Sequence, residues 1–111
     1  MVAPDARLFA ALADDTRLAL LSRLADRAPQ PTSALAHHTA TSRQAVTKHL
    51  TVLAGAGLVR DVRVGRQRLW TLDAAPLREV HDWADQFRRH WSDRLDRLER
   101  FLVDPPEGDE R

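Results

Sequence analysis

Cysteine is absent from the 111 residues, which excludes disulfides, thiolate metal sites and cysteine-based redox sensing. No apolar run approaches the ~18 residues that a membrane span requires. The opening Met1-Val2-Ala3-Pro4-Asp5 lacks a basic segment followed by an apolar one, so no secretory signal is expected. These absences predict a cytoplasmic protein without membrane contact. Also missing are a nucleophile–base pair, a glycine-rich phosphate loop and a recognisable metal motif, so neither catalysis nor a cofactor is expected. The acidic pair Asp14-Asp15 has helix capping as a sufficient role.

What is present suits one small domain: 12.6 kDa, with 43% hydrophobic and 30% charged residues. A net charge of +1 hides an asymmetry. Between Thr41 and Trp70 stand Arg43, Lys48, Arg60, Arg63, Arg66 and Arg68 against Asp61 alone, a net +5, so the remainder carries −4. A basic middle between acidic ends suits a polyanion partner, although clustering on a solvated face would give the same count.

Hydrophobic spacing predicts helices over about residues 5–13, 16–26 and 33–39. Asp14-Asp15-Thr16 would cap the second, whose stripe comprises Leu18, Leu20, Leu21, Leu24 and Ala25. Pro29 and Pro31 would end it, and Thr32 would cap the third. Thr41 and Gln44 form a T-x-x-Q capping box opening a fourth helix over about residues 42–54. That helix would bury Ala45 or Val46 with Leu50 and Leu53. Its other face offers Ser42, Arg43, Gln44, Thr47, Lys48, His49 and Thr51, and Gly55 and Gly57 would close it.

The period then changes from 3.6 to 2. Residues 58–64 and 67–72 alternate as strands, joined through Gly65-Arg66 into a hairpin with Arg63, Arg66 and Arg68 at its tip. A last helix over about residues 75–103 begins near Pro76 and meets no further proline or glycine until Pro105. Leu77, Ala84, Trp91 and Leu98 recur along it every seven residues, with Val80, Phe87, Leu95 and Leu102 between. At ~1.5 Å per residue it is longer than so small a domain needs, so a partner helix from a second copy is expected on the seam. Packing on the chain's own core is the alternative. Residues 104–111 read as a disordered acidic tail, leaving residues 1–103 as the single domain.

Helix, helix, short helix, turn, polar helix and basic hairpin make a winged helix-turn-helix, mainly α, with about five helices and a two-stranded wing. A polar-faced helix fits the major groove, and an arginine hairpin reaches phosphates or the minor groove. At this point the chain resembles the ArsR-type, metalloregulator-like winged-helix repressors of bacteria. The resemblance runs from about Leu8 to Val103. It is carried by Phe9-Ala10-Ala11-Leu12-Ala13-Asp14-Asp15-Thr16-Arg17-Leu18, by Ser42-Arg43-Gln44-Ala45-Val46-Thr47-Lys48-His49-Leu50, and by the stretch from Leu53 to Leu58. The Gly65-Arg66 tip followed by Trp70 and Leu72-Asp73 matches too.

The resemblance implies a homodimer joined through its first and last helices and binding a palindromic operator in double-stranded DNA. Leu8, Leu12, Leu77, Val80, Ala84, Phe87, Trp91, Leu95 and Leu98 would form its interface. By position, Ser42, Arg43, Gln44, Thr47, Lys48 and His49 would face DNA, with Arg63, Arg66, Gln67 and Arg68 in the wing. Arg43 and Gln44 suit base edges, while Ser42 and Thr47 suit phosphates. Arg17 would pair with Asp14 or Asp15. No effector is implied by these residues.

Many relatives in such a family release DNA on binding metal. Thiolate sites cannot exist here. The zinc-type pattern, Asp-x-His, ten residues, then His-x-x-Glu, finds only His81, His90 and Asp93 as candidates. Glu79 stands where the aspartate belongs, and counting from His81 places Ser92 and Leu95 at the later ligand positions. His81 and His90 also fall on opposite helix faces at ~100° per residue. A metal-free repressor is therefore expected, with a zinc- or nickel-responsive repressor and a winged-helix protein-interaction module as alternatives.

Overall fold

Asp5 caps the first helix, its carboxylate accepting from the Arg7 backbone N–H at 2.9 Å. From there the computed structural model describes residues 2–103. In chain order these form α1 (Ala6–Leu12), α2 (Asp15–Asp26), β1 (Gln30–Pro31), α3 (Thr32–Thr39), α4 (Arg43–Gly55), β2 (Val59–Val64), β3 (Gln67–Leu72) and α5 (Ala75–Val103). The expected tail, residues 104–111, lies outside the described residues.

Asp14 caps α2 by accepting from the Arg17 backbone N–H at 3.0 Å. The buried stripe of α2 is narrower than expected, comprising Leu20, Leu21 and Leu24, with Leu18 and Ala25 exposed. At ~100° per residue Leu18 lies about a third of a turn and Ala25 about a quarter-turn off the stripe's centre, on the side turned to solvent. Val46, Leu50 and Leu53 are the buried side of α4, which decides between Ala45 and Val46.

Two corrections concern helix starts. Ser42, not Thr41, caps α4, its hydroxyl accepting from the Ala45 backbone N–H at 3.2 Å. Thr41 instead donates its hydroxyl to the Thr39 carbonyl at 3.1 Å, so the capping box does not form and Gln44 is left free of it. In the turn before it Ala40 adopts a left-handed φ of 51°, and the Thr41 backbone N–H bonds back to the Ala36 carbonyl at 3.1 Å, so Thr41 belongs to the close of α3 rather than to the start of α4. Thr32 is likewise inside α3 rather than its cap. Of the two glycines expected to close α4, only Gly57 is left-handed, at φ 76°; Gly55 is the helix's last residue.

The wing is three-stranded rather than two-stranded, in the antiparallel order β1-β3-β2. Gln30 pairs with Trp70 and Pro31 with Leu69. A proline is tolerated there because β1 is an edge strand, where the missing N–H faces no neighbour. Gln30 is buried, its amide donating to the Arg27 carbonyl at 2.7 Å. Trp70, 1% exposed, anchors the sheet in the core, and its indole N–H donates to the Thr32 hydroxyl at 2.9 Å.

The core joins Leu8 and Ala11 of α1 to the buried leucines of α2, to Leu35 and Ala36 of α3, to α4, and to Leu58, Val59 and Trp70. Leu8 is thus a core residue, which corrects its expected place in a dimer interface. Leu12, Leu77 and Val80 also pack partly against this core. Helix α5 begins where Asp73 accepts from the Ala75 backbone N–H at 3.1 Å, and its 29 residues contain none that is buried. Its first turns hold to the body, where Trp83 meets Phe9 edge-on at 5.4 Å. Beyond them Phe87, Trp91, Leu95 and Leu98 are 42–58% exposed.

Candidate nucleic-acid interface

A helix that buries Val46, Leu50 and Leu53 must turn the opposite side to solvent, and on α4 that side carries Gln44 and Lys48, while Arg43 is exposed on the flank of the first turn. The N-cap duty of Ser42 consumes only an acceptor lone pair, so its hydroxyl proton stays free to donate to a phosphate. Thr47 differs. Its hydroxyl donates to the Arg43 carbonyl at 2.8 Å, and Thr51 does the same to Thr47. In that rotamer Thr47 has no proton for a phosphate, which only accepts.

The hairpin register decides which wing residues look toward α4. Asp61 lies opposite Trp70 and Arg63 opposite Arg68. Residues facing each other across antiparallel strands share a sheet face, so the face that is core at Val59 and Trp70 becomes charged at the tip. Arg68 stacks its guanidinium 4.4 Å above the Trp70 ring and bonds to the Asp61 carboxylate on the diagonal. That bond, chiefly, holds the Asp61 carboxyl below its ordinary 3.8, with burial opposing and the charges of Arg68 and Arg63 assisting. Arg68 is therefore committed to bracing the wing. Arg63 and Arg66 remain without a recorded ion pair among the described residues.

The two elements meet. Arg43 and Thr47 of α4, Arg66, Gln67 and Arg68 of the wing, and Pro31, Thr32 and Ser33 before and within α3 line one open cleft of about 300 Å³. Sequence reasoning missed Thr32 and Ser33, because their place follows from the pairing of β1 with β3. Three arginines around a polar-walled cleft favour an anion there.

His49 stands apart from this face. Its side chain is 24% exposed and turned toward α2. Arg17 NH1 lies 3.2 Å from His49 Nδ1, while Arg17 Nε and NH2 donate to the carbonyls of Ala11 and Ala10 at 2.7 and 3.3 Å. The expected Arg17–Asp14 or Arg17–Asp15 ion pair is replaced by these bonds. Asp14 instead accepts from the Arg17 backbone N–H, which is the first cause of its lowered carboxyl pKa; burial opposes the shift, and the Arg17 charge adds to it.

On α5 the metal candidates do not converge. His90 and Asp93 share a shallow surface with Asp96, Arg97 and Arg100, while His81 sits with Ala84, Asp85 and Arg88. Asp85 is occupied by Arg88 at 2.9 Å and Arg89 at 3.4 Å, and the Arg88 bond chiefly lowers its pKa. No group of three or more His, Asp or Glu side chains is placed to hold an ion among the described residues. None of the described helices is long and apolar enough to cross a membrane.

Comparison with known proteins adds to this geometry. A family profile described as a helix-turn-helix domain matches residues 12–62. The HTH-type transcriptional regulator Rv2034 of Mycobacterium tuberculosis is 42% identical over 84 residues, covering 76% of this chain and 77% of that protein. An ArsR-like transcriptional regulator from Rhodococcus sp. RHA1 superposes with a TM-score of 0.79 at 37% identity, over 88% of this chain and 89% of the other. A homodimeric winged helix-turn-helix DNA-binding domain from Mycobacterium bovis, described as a possible ArsR-family regulator, superposes at 0.61. It is 27% identical over 77% of this chain and 82% of its own.

Proposed function

Because the chain belongs to the ArsR-type family of winged helix-turn-helix transcriptional regulators, we propose that it acts as a homodimeric repressor on an inverted-repeat operator in the cytoplasm. The observation that carries this is the cleft where Arg43 of α4 and Arg66 of the wing meet beside the exposed Gln44 and Lys48. Helix α4 enters the major groove. Arg43 and Gln44 reach base edges, where arginine suits guanine and glutamine adenine. Ser42 and Lys48 anchor the backbone, and Arg63, Arg66 and Gln67 follow it along the wing.

The dimer uses α5. Phe87, Trp91, Leu95 and Leu98, with Ala84, are an apolar strip left uncovered by the chain's own core, and the M. bovis neighbour is homodimeric. Two copies related by a two-fold axis present two α4 helices to half-sites about 34 Å apart, one duplex turn.

Gel-shift titration against a random-sequence duplex pool, followed by sequencing of the bound fraction, tests this. The expected outcome is a palindromic consensus whose binding weakens steeply with salt. Indifference to duplex DNA at low salt would sink the proposal. Running each titration with EDTA and with added zinc separates a metal-free repressor, unaffected by both, from a metal-responsive one.

A further inference from the structure

Arg17 does more than close the first turn of α2. Its guanidinium is shared among three elements: it grows from α2, bonds the Ala10 and Ala11 carbonyls at the end of α1, and meets His49 in the middle of α4. The last carbonyls of a helix have no partner within it, and a cation is favoured there by the helix dipole. Arginine suits the task because its donors lie in one rigid plane, so two bonds to α1 fix where the third must point.

We propose that Arg17 is a positioning residue that sets the placement of α4 against α1 and, through α1, against the dimer helix α5. This rests on the reading of α4 as the DNA-entering helix. The chain of contacts is continuous: α5 carries Trp83, which meets Phe9 of α1 edge-on at 5.4 Å, and α1 ends on the carbonyls that Arg17 holds. In a two-fold dimer that chain runs once in each copy, so the Arg17 clasp governs the distance and tilt between the two α4 helices.

The geometry also fixes the state of His49. An arginine donates and never accepts, so at 3.2 Å the Nδ1 atom of His49 must offer its lone pair and the proton must sit on Nε2. Asp14 would favour the reverse, but its carboxylate is 3.9 Å from Nδ1, beyond hydrogen-bond reach, and already accepts from the Arg17 backbone N–H. Arg17 therefore decides the tautomer.

Two measurements test the clasp. The first needs no DNA: nitrogen-15 imidazole spectra of the whole chain should place the His49 proton on Nε2, and a proton on Nδ1 overturns the proposal. The second uses the palindromic duplex selected from the random pool by the wild-type protein, together with versions whose half-sites are one base pair closer or farther. Arg17→Ala and His49→Leu should weaken binding to the selected duplex about tenfold, the scale on which residues between coupled sites act. Their preference for the selected spacing should narrow while the salt slope stays that of the wild type. His49→Asn, whose Oδ1 takes the place of Nδ1 and can accept from Arg17, should restore both affinity and spacing preference, whereas Arg17→Lys should not. Unchanged spacing preference in folded His49→Leu overturns the proposal, as does a reduced salt slope in Arg17→Ala, which would make Arg17 a phosphate contact. A wild type that binds no duplex would sink the DNA reading itself and leave the tautomer to judge the clasp.

Discussion

A buried indole has one polar atom, and Trp70 spends it on the Thr32 hydroxyl. Thr32→Val keeps the shape but leaves that N–H unpaired, which costs about 1–3 kcal/mol. Urea unfolding should show the loss, and Thr32→Ser should recover most of it. On α4 the distinction is between reading and anchoring. Lys48→Ala removes one phosphate contact from each copy of the dimer, so it should reduce the slope of log affinity against log salt by about 1.8 and weaken all duplexes alike. Arg43→Ala should cost about 1–3 kcal/mol at one base pair in each half-site and relax the preference there. If both variants bind every duplex as the wild type does, α4 does not face DNA. The residue types of this face were legible in the sequence, since Gln44 and Lys48 fall opposite the buried Val46 and Leu50 and Arg43 opens the helix. The individual bonds were not. Thr41 and Ser42 are equally good caps by type, and only the backbone of Ala40 selects between them. Arg68 reads as one more wing cation until the register sets it diagonal to Asp61.

At the scale of elements, the turn between α3 and α4 fixes how the two helices cross, and it hinges on a non-glycine residue at φ 51°. A side chain in that region is strained by roughly 1–2 kcal/mol, part of which glycine returns through its freer unfolded chain. Ala40→Gly should therefore stabilise the fold by about 0.5–1 kcal/mol net in thermal or urea denaturation. The wing carries a pH dependence. Asp61 titrates below its ordinary 3.8, primarily because Arg68 bonds the charged form. A depressed carboxylate contributes stability that is complete above about pH 4 and is lost as pH falls through its folded value. Hydrogen exchange at the β2–β3 pairing should be flat between pH 7 and 5 once corrected for intrinsic rates, then accelerate below about pH 4. Asp61→Asn should remove the dependence; an unaltered profile would detach the wing's stability from this pair. Long periodic elements were legible because repetition averages over local detail: α4, both hairpin strands and α5 lie close to where their spacing places them. Strand β1 was not, for two residues have no period and Pro31 reads as a terminator.

For the whole molecule the deciding quantity is the apolar surface that the chain leaves uncovered. Leu8, Leu77 and Val80 serve the body of their own chain, so the expected seam divides into a near part that holds α5 to the core and a far part that holds nothing. The far part is left open for a partner: Phe87, Trp91, Leu95 and Leu98, between 42% and 58% exposed, with Phe101, Leu102 and Val103 exposed beyond them. A helical pattern shows that a seam exists, but how much of it the chain's own core consumes depends on where α1 and the sheet end, which no spacing on α5 encodes. A carboxylate placed on the far part must be desolvated whenever two copies meet, at a cost of several kcal/mol. Each 1.4 kcal/mol is a factor of ten in dissociation constant, so Leu95→Asp should weaken association by roughly a hundredfold or more. Sedimentation should then find a monomer where the wild type is a dimer, while the circular dichroism of the folded body, which does not use Leu95, stays near the wild type. Affinity for a duplex with two half-sites should fall to that of a single half-site, because the second α4 no longer arrives tethered to the first. A Leu95→Asp protein that remains dimeric and keeps its two-site affinity would place the dimer contact elsewhere on the chain.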